Sequence, residues 1–149
     1  MAYLLDTNII IDILQGKLSI VSNYQQLSKM HIPTGITTYT IAELYEGFNK
    51  PTASKKIKGQ EKILEIILDK FEKDNRIFSL NRNQAISYAK FKINLDEKGT
   101  PIPIIDLLIG TIAIYNKFTL VTTDENHFKK LKDSVKTVSQ NLINTYKFL

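Results

Sequence analysis

Acidic side chains occupy positions in this sequence where a carboxylate is able to do chemistry. Asp106 is the only charged residue in the segment 101–116, which is otherwise apolar or neutral. A helix that is apolar around most of its circumference is buried, and a buried carboxylate must be hydrogen-bonded, protonated or bound to a cation. Asp106 is therefore a candidate functional residue, with a structural ion pair or a capping carboxylate after Pro103 as the alternative.

Two further aspartates follow short apolar segments that are typical of strands. Asp6 comes directly after the segment 3–5, and Asp124 comes shortly after the segment 118–122. In open α/β sheets, ligands bind outside the carboxyl ends of the strands, so both aspartates are candidates for a site. Taken singly, each is better interpreted as a turn or N-cap residue, which is a common use of Asp.

Glu43 lies on a segment with a helical apolar stripe, and Gly47 one turn later would leave space beside it. A solvent-facing glutamate is the alternative interpretation for Glu43. It is the interpretation that we adopt for Glu46.

Asp6, Glu43, Asp106 and Asp124 would repel one another strongly if the fold gathered them in one place. Such a cluster is tolerable only when a cation neutralises it. The chain has no Cys and only two His, so the available ligands are oxygen atoms. Oxygen ligands favour a hard cation, Mg²⁺ or Mn²⁺.

The elements that must position these residues alternate between strand and helix. The apolar patterns predict strands over residues 3–5, 31–36, 76–80, 118–122 and 135–138, and helices over 9–14, 18–30, 39–48, 54–73, 84–95, 104–115 and 127–131. This alternation predicts a parallel sheet covered by helices on both faces. We find no repeat, linker or low-complexity stretch, and we predict a single domain over 1–149.

Composition excludes several other classes of protein. The lack of Cys excludes disulfide scaffolds, thiolate metal sites and Cys nucleophiles. The net charge of +5 favours a polyanionic partner, but only two of the 20 cationic residues are arginines, which disfavours strict base reading on duplex DNA. We find neither a signal peptide nor a membrane-spanning run, and we expect a cytoplasmic protein.

The four acidic candidates lie in four blocks of the sequence, which are LLDTN at 4–8, IAELYEG at 41–47, IDLLIGTIA at 105–113 and TTDENHF at 122–128. These blocks resemble the signature blocks of PIN-domain ribonucleases, and most closely those of VapC-type toxins from toxin–antitoxin pairs. They occur in family order and cover essentially the whole chain. One departure is that many relatives carry Arg where this chain has Thr123, which puts a contact of that Arg to RNA phosphate in doubt.

The resemblance implies a PIN-like three-layer α/β/α fold with a mostly parallel sheet of about four to five strands. It also implies an endoribonuclease that uses Mg²⁺, or Mn²⁺, to activate a water molecule against an RNA phosphodiester. Asp6 and Asp106 would hold the ion directly, and Glu43 and Asp124 would bind through water or a second ion. Supporting residues would position the carboxylates or the phosphate, and these are Thr7, Asn8 and Thr122.

The resemblance further implies a homodimer and a small antitoxin protein that blocks the site. Lysines would guide RNA, with Lys50, Lys55, Lys56 and Lys58 as one group and Lys129, Lys130 and Lys132 as another. For either group a solvated face is the alternative. Tyr39 and Tyr45 are candidates for stacking on bases, with a core or interface role as the alternative for Tyr45.

Two other classes of function compete with the ribonuclease. A non-catalytic RNA- or protein-binding module on the same fold would bind its partner without any divalent ion. A phosphatase or phospho-acceptor would use Asp6, but haloacid-dehalogenase-type enzymes place a second Asp where this chain has Asn8.

Overall fold

The computed structural model describes residues 2–135 and 144–147. Strands and helices alternate in the order β1 (Tyr3–Leu5), α1 (Thr7–Leu14), α2 (Leu18–Lys29), β2 (Thr34–Thr37), α3 (Thr38–Asn49), α4 (Lys55–Gly59), α5 (Glu61–Lys73), β3 (Ile77–Phe78), α6 (Arg82–Glu97), α7 (Ile104–Asn116), β4 (Thr119–Thr122), α8 (Glu125–Val135) and β5 (Asn144–Lys147).

The described strands form one parallel sheet in the order β3-β2-β1-β4-β5. β1 is central, since Leu4 pairs with Gly35 on β2 and with Leu120 on β4. The chain runs outward from β1 to β2 and β3 and then returns to the other side of β1 as β4. Between β1 and β4 the strand order reverses, and α/β sheets open a ligand crevice at such a point.

Neighbouring residues of a strand point to opposite faces of the sheet, so these apolar strands present side chains on both faces. Helices cover both of these faces. Leu4 and Leu120 join a core cluster with α6, α7 and α8, whereas Leu5 and Val121 join a second cluster with α1, α2, α3 and α5. The arrangement is a three-layer α/β/α fold, so the predicted fold class is confirmed.

The helix α7 is apolar on almost every side and is buried, as its sequence predicts. Residues 109–114 are all buried, and the hydroxyl of Thr111 is satisfied by donating to the carbonyl of Leu107 at 2.7 Å. No helix in the described part of the chain combines the length and apolar character needed to cross a membrane.

Apart from shifts of one to four residues at the ends of other elements, three predicted elements differ from the structure. The single helix over 54–73 is wrong: α4 ends at Gly59 and α5 begins at Glu61, since glycine is a poor helix former. Ile57 on α4 and Ile63 on α5 are 37% and 50% exposed.

The other two differences concern strands. The strand predicted over 31–36 begins only at Thr34, because His31 adopts a left-handed backbone with φ of 54° in the turn after α2. The strand predicted over 135–138 is wrong at Val135, which ends α8, and its residues 136–138 lie outside the described residues.

Gly35 on β2 stands where a side chain has no room. A Cβ atom there would lie 2.6 Å from Phe78 Cε2 and 2.7 Å from the carbonyl oxygen of Arg76. That carbonyl accepts a hydrogen bond from Ile36, so it cannot move without disturbing the pairing of β2 with β3. We expect Gly35→Ala to lower the free energy of unfolding by about 2 kcal/mol, as overpacking does.

Urea unfolding measures this loss, and Gly47→Ala is the matched control. Gly47 lies inside α3 with no atom within 4 Å of a Cβ placed there. Because Ala favours a helix over Gly, the control should be neutral or slightly stabilising. Equal destabilisation by the two substitutions would contradict the close approach at Gly35.

Candidate active site

Asp6 lies at the carboxyl end of β1, beside the crevice at which the strand order reverses. Its side chain is the N-cap of α1, and Oδ1 accepts a hydrogen bond from the backbone N of Thr7 at 2.8 Å. Oδ2 accepts a hydrogen bond from Thr122 Oγ1 at 2.8 Å, which joins the ends of β1 and β4. Asp6 is 3% exposed, so it is both a capping residue and a carboxylate held at a fixed place.

Glu43 reaches the same end of the sheet from α3. Thr7 Oγ1 donates to Glu43 Oε1 at 2.6 Å, and this bond ties α3 to the first turn of α1. Glu43 also lines a groove of about 270 Å³ together with Gly47 and Lys50. The space predicted beside Gly47 is present, while Glu46 is exposed, as expected.

Asp106 and Asp124 share one partner, His127. Asp106 lies in the first turn of α7, and Asp124 lies in the turn between β4 and α8. His127 Nδ1 is 2.6 Å from Asp106 Oδ2 and 3.4 Å from Asp124 Oδ2. Asp124 is fixed further by Thr122, whose Oγ1 accepts from the backbone N of Asp124 at 3.0 Å.

Sequence reasoning missed His127, although the residue belongs to the fourth block, at 122–128. The available signal was its spacing from Asp124. A residue three positions later at the start of a helix faces the same side, so its ring can reach the same carboxylate.

The electrostatics of these carboxylates couple them to one another. The pKa of Asp6 is raised to about 6, first by burial and then by the negative charges of Asp106 and Glu43, against hydrogen bonds from Thr122 and Thr7. Burial also raises the pKa of Asp106, and the negative charge of Asp124 adds to this rise. The interaction of Asp106 with His127 lowers the pKa and so opposes both. The four acidic residues selected from the sequence therefore lie close enough to feel each other's charge.

No Lys or Arg within the described residues forms an ion pair with Asp6, Glu43, Asp106 or Asp124. Within the described part of the chain, the only side-chain ion-pair partner of these four carboxylates is therefore one imidazole, that of His127. Among the described residues, no three acidic or imidazole side chains are arranged so that they could hold a metal ion together. Mg²⁺ does not need three protein ligands, since it keeps several waters and takes one or two carboxylates directly.

The remaining selected residues have mixed placements. Asn8 is exposed at the start of α1, while Tyr39 and Tyr45 are half-buried and pack against the two core clusters. Tyr45 lies edge-on to Phe48 at 5.7 Å, in agreement with a core role. Six of the seven selected lysines are exposed and Lys132 is half-buried.

Comparison with known proteins assigns the family. The sequence matches the family model described as PIN domain over residues 3–133. It is also 30% identical over 135 residues to Ribonuclease VapC2 of Rickettsia felis. The aligned residues cover 91% of this chain and 96% of that protein. The chain belongs to the PIN-domain family. The resemblance seen in the four sequence blocks is therefore confirmed.

Solved structures with this PIN-domain fold include two toxin–antitoxin complexes. VapBC2 from Rickettsia felis, bound to a DNA fragment from its promoter, matches with a TM-score of 0.75 and 29% identity over 100% of both chains. DNA-bound VapBC from Salmonella typhimurium matches with a TM-score of 0.77 over 100% of this chain and 99% of that one. The identity to the second is 20%, so that match supports the fold alone.

Proposed function

We propose that this chain is a divalent-ion-dependent endoribonuclease and the toxin of a toxin–antitoxin pair. The observation that carries the proposal is the placement of Asp6 and Asp106 at the β1–β4 crevice, both with raised pKa values and without a Lys or Arg partner among the described residues. Two carboxylates placed in this way, one buried and one half-buried, fit a hard cation. The relative named Ribonuclease VapC2 supports RNA as the substrate.

Asp6 and Asp106 would hold Mg²⁺ or Mn²⁺ directly, with Glu43 and Asp124 acting through water or a second ion. When bound, the ion supplies a water of lowered pKa and neutralises charge on the phosphoryl oxygens. Thr122 holds Asp6 at Oδ2, and Thr7 holds Glu43 at Oε1, so neither carboxylate has to be ordered during the reaction.

The substrate strand would approach from the open side of the crevice. Asn8 is exposed beside Asp6, so its amide is able to donate to a phosphate oxygen. The exposed lysines on α4 and α8 would attract the RNA backbone without reading its sequence. A positively charged chain with a locally acidic crevice draws in RNA and directs the ion to one place.

The partners follow from the same comparison. The matching structure from Rickettsia felis is a VapBC2 complex, and we propose a cognate antitoxin for this chain as well. We further propose that 1–149 is a single PIN-like domain, that the protein is a homodimer and that it acts on RNA in the cytoplasm.

The test is cleavage of a labelled single-stranded RNA by wild type and by Asp106→Asn. We expect cleavage with Mg²⁺, none with EDTA, and about 1000-fold less with Asp106→Asn, because a direct ligand is lost. Glu46→Gln is the control, since Glu46 is exposed on α3 and should leave cleavage unchanged.

The competing function gives a different pattern. A non-catalytic binding module would bind RNA equally well in EDTA and would keep that binding in Asp106→Asn. Cleavage that survives both EDTA and Asp106→Asn would contradict the proposed mechanism.

A further inference from the structure

Three buried threonines form a line behind Glu43, and the proposed function uses only one of them, Thr7. Thr7 Oγ1 lies 3.3 Å from Thr40 Oγ1, which lies 3.2 Å from Thr37 Oγ1. Thr37 and Thr40 are both 0% exposed, and Thr7 is 8% exposed. Three hydroxyl groups so far from water need a reason, because each must be satisfied inside the protein.

The direction of these hydrogen bonds is fixed by Glu43. An ionised carboxylate only accepts, so the single hydroxyl proton of Thr7 goes to Glu43 Oε1 at 2.6 Å. Thr7 must then accept from Thr40, and Thr40 must accept from Thr37. Thr37 Oγ1 in turn accepts from the backbone N of Thr40 at 3.0 Å, so the line is anchored at the first turn of α3.

Every hydroxyl proton in this line points toward the carboxylate. Successive hydrogen bonds of one direction strengthen each other in a low-dielectric interior. Glu43 Oε1 is thereby fixed, and Oε2 accepts no hydrogen bond within the described residues. Oε2 is the oxygen left for a divalent ion or for a water molecule on that ion.

We infer that Thr40 is a positioning residue that orients Glu43 toward the divalent ion through Thr7. The inference rests on the proposed function. Outer residues that orient the ligands of a metal ion commonly change its affinity by 10- to 100-fold. Removing the Thr40 hydroxyl leaves Thr7 without a donor and frees it to turn away from Glu43.

The experiment compares Thr40→Val, which keeps the shape and loses the hydroxyl, with Thr40→Ser, which keeps the hydroxyl. We expect Thr40→Val to weaken Mn²⁺ binding, measured by calorimetry with the metal alone, by about 10-fold. The Mg²⁺ concentration for half-maximal RNA cleavage should rise by a similar factor, with kcat at saturating Mg²⁺ nearly unchanged. Thr40→Ser should behave as wild type.

Thr111→Val is the matched control. Thr111 is also 0% exposed, but its hydroxyl donates to a backbone carbonyl inside α7, so its loss should not change ion binding. If Thr40→Val does not fold, Thr40→Ala carries the same comparison without the added methyl group.

A double variant tests whether Thr40 acts through Thr7. Thr7→Val combined with Thr40→Val should bind Mn²⁺ no more weakly than Thr7→Val alone. Independent, multiplying effects would overturn the inference, as would equal Mn²⁺ affinity in Thr40→Val and Thr40→Ser. A wild-type protein that neither binds Mn²⁺ nor cleaves RNA would overturn the proposed function as well, so the two failures are distinct.

Discussion

Replacing Asp6 with Asn is expected to stabilise the ion-free protein while removing its ability to cut RNA. Asn keeps an oxygen for the backbone N of Thr7 and presents an NH₂ group to Thr122 Oγ1. The Thr122 hydroxyl can then donate to the carbonyl of Asp124, which lies 3.2 Å away. The substitution therefore removes a buried charge without leaving a polar atom unpaired.

The size of the stabilisation follows from the pKa of Asp6. A rise from 3.8 to about 6 means that the ionised carboxylate costs about 3 kcal/mol in the folded state at neutral pH. We expect Asp6→Asn to gain an amount of this order in the free energy of unfolding at pH 7.5 in EDTA. RNA cleavage should fall by about 1000-fold, since several kcal/mol of transition-state stabilisation depend on the ion that Asp6 holds.

Urea unfolding and RNA cleavage on the same preparations measure the two effects. Asp12→Asn is the control, because Asp12 lies on α1 and its side chain makes an ion pair with Lys17 at 3.5 Å. That pair contributes about 1 kcal/mol or less, so its loss should change neither quantity much. An Asp6→Asn protein that is inactive and also less stable than wild type would contradict the electrostatic cost assigned to Asp6.

The second large effect is the pH dependence of the difference in stability between wild type and Asp6→Asn. Because folding raises the pKa of Asp6, the folded state binds the proton more tightly than the unfolded state between pH 3.8 and about 6. The contribution of Asp6 to stability therefore falls as pH rises through this window and is constant above it. Asp106 has a raised pKa too, and it contributes with the same sign.

We expect the advantage of Asp6→Asn to shrink from about 3 kcal/mol at pH 7.5 to less than about 1 kcal/mol at pH 4, because wild-type Asp6 is then protonated and resembles Asn. Urea unfolding across this range in EDTA measures the difference. Using the difference between the two proteins removes the contributions of the titrating groups that do not interact with Asp6. A gap that is constant with pH, or that widens toward pH 4, would be the wrong result.

Much of the fold could be predicted from the sequence because its signals are local. The run of apolar residues around Asp106 predicts a buried helix, and α7 is buried with this carboxylate at its first turn. The apolar segments before Asp6 and Asp124 predict strand ends, and β1 and β4 are neighbours in the sheet. Parallel pairing then brings both aspartates to one edge of the sheet. Each aspartate alone is weak evidence for a functional site, but together they are stronger evidence.

The parts that the sequence did not predict depend on contacts between distant segments. The line of hydroxyls through Thr37 and Thr40 exists because α3 packs beside the start of α1, 33 positions apart for Thr7 and Thr40. Sequence periodicity indicates that a position is buried, but it does not indicate which partner the hydroxyl of a buried threonine has. The role of His127 likewise depends on α8 packing against α7, which places its ring on Asp106.

The most direct test of the carboxylate centre is a crystal of the wild-type protein soaked in Mn²⁺ and recorded at a wavelength where manganese scatters anomalously. We expect an anomalous peak within coordination distance, about 2.0–2.6 Å, of a carboxylate oxygen of Asp6 and one of Asp106. The peak should be absent from Asp6→Asn crystals soaked in the same way. A peak that lies away from both carboxylates, or no peak at saturating Mn²⁺, would contradict the account.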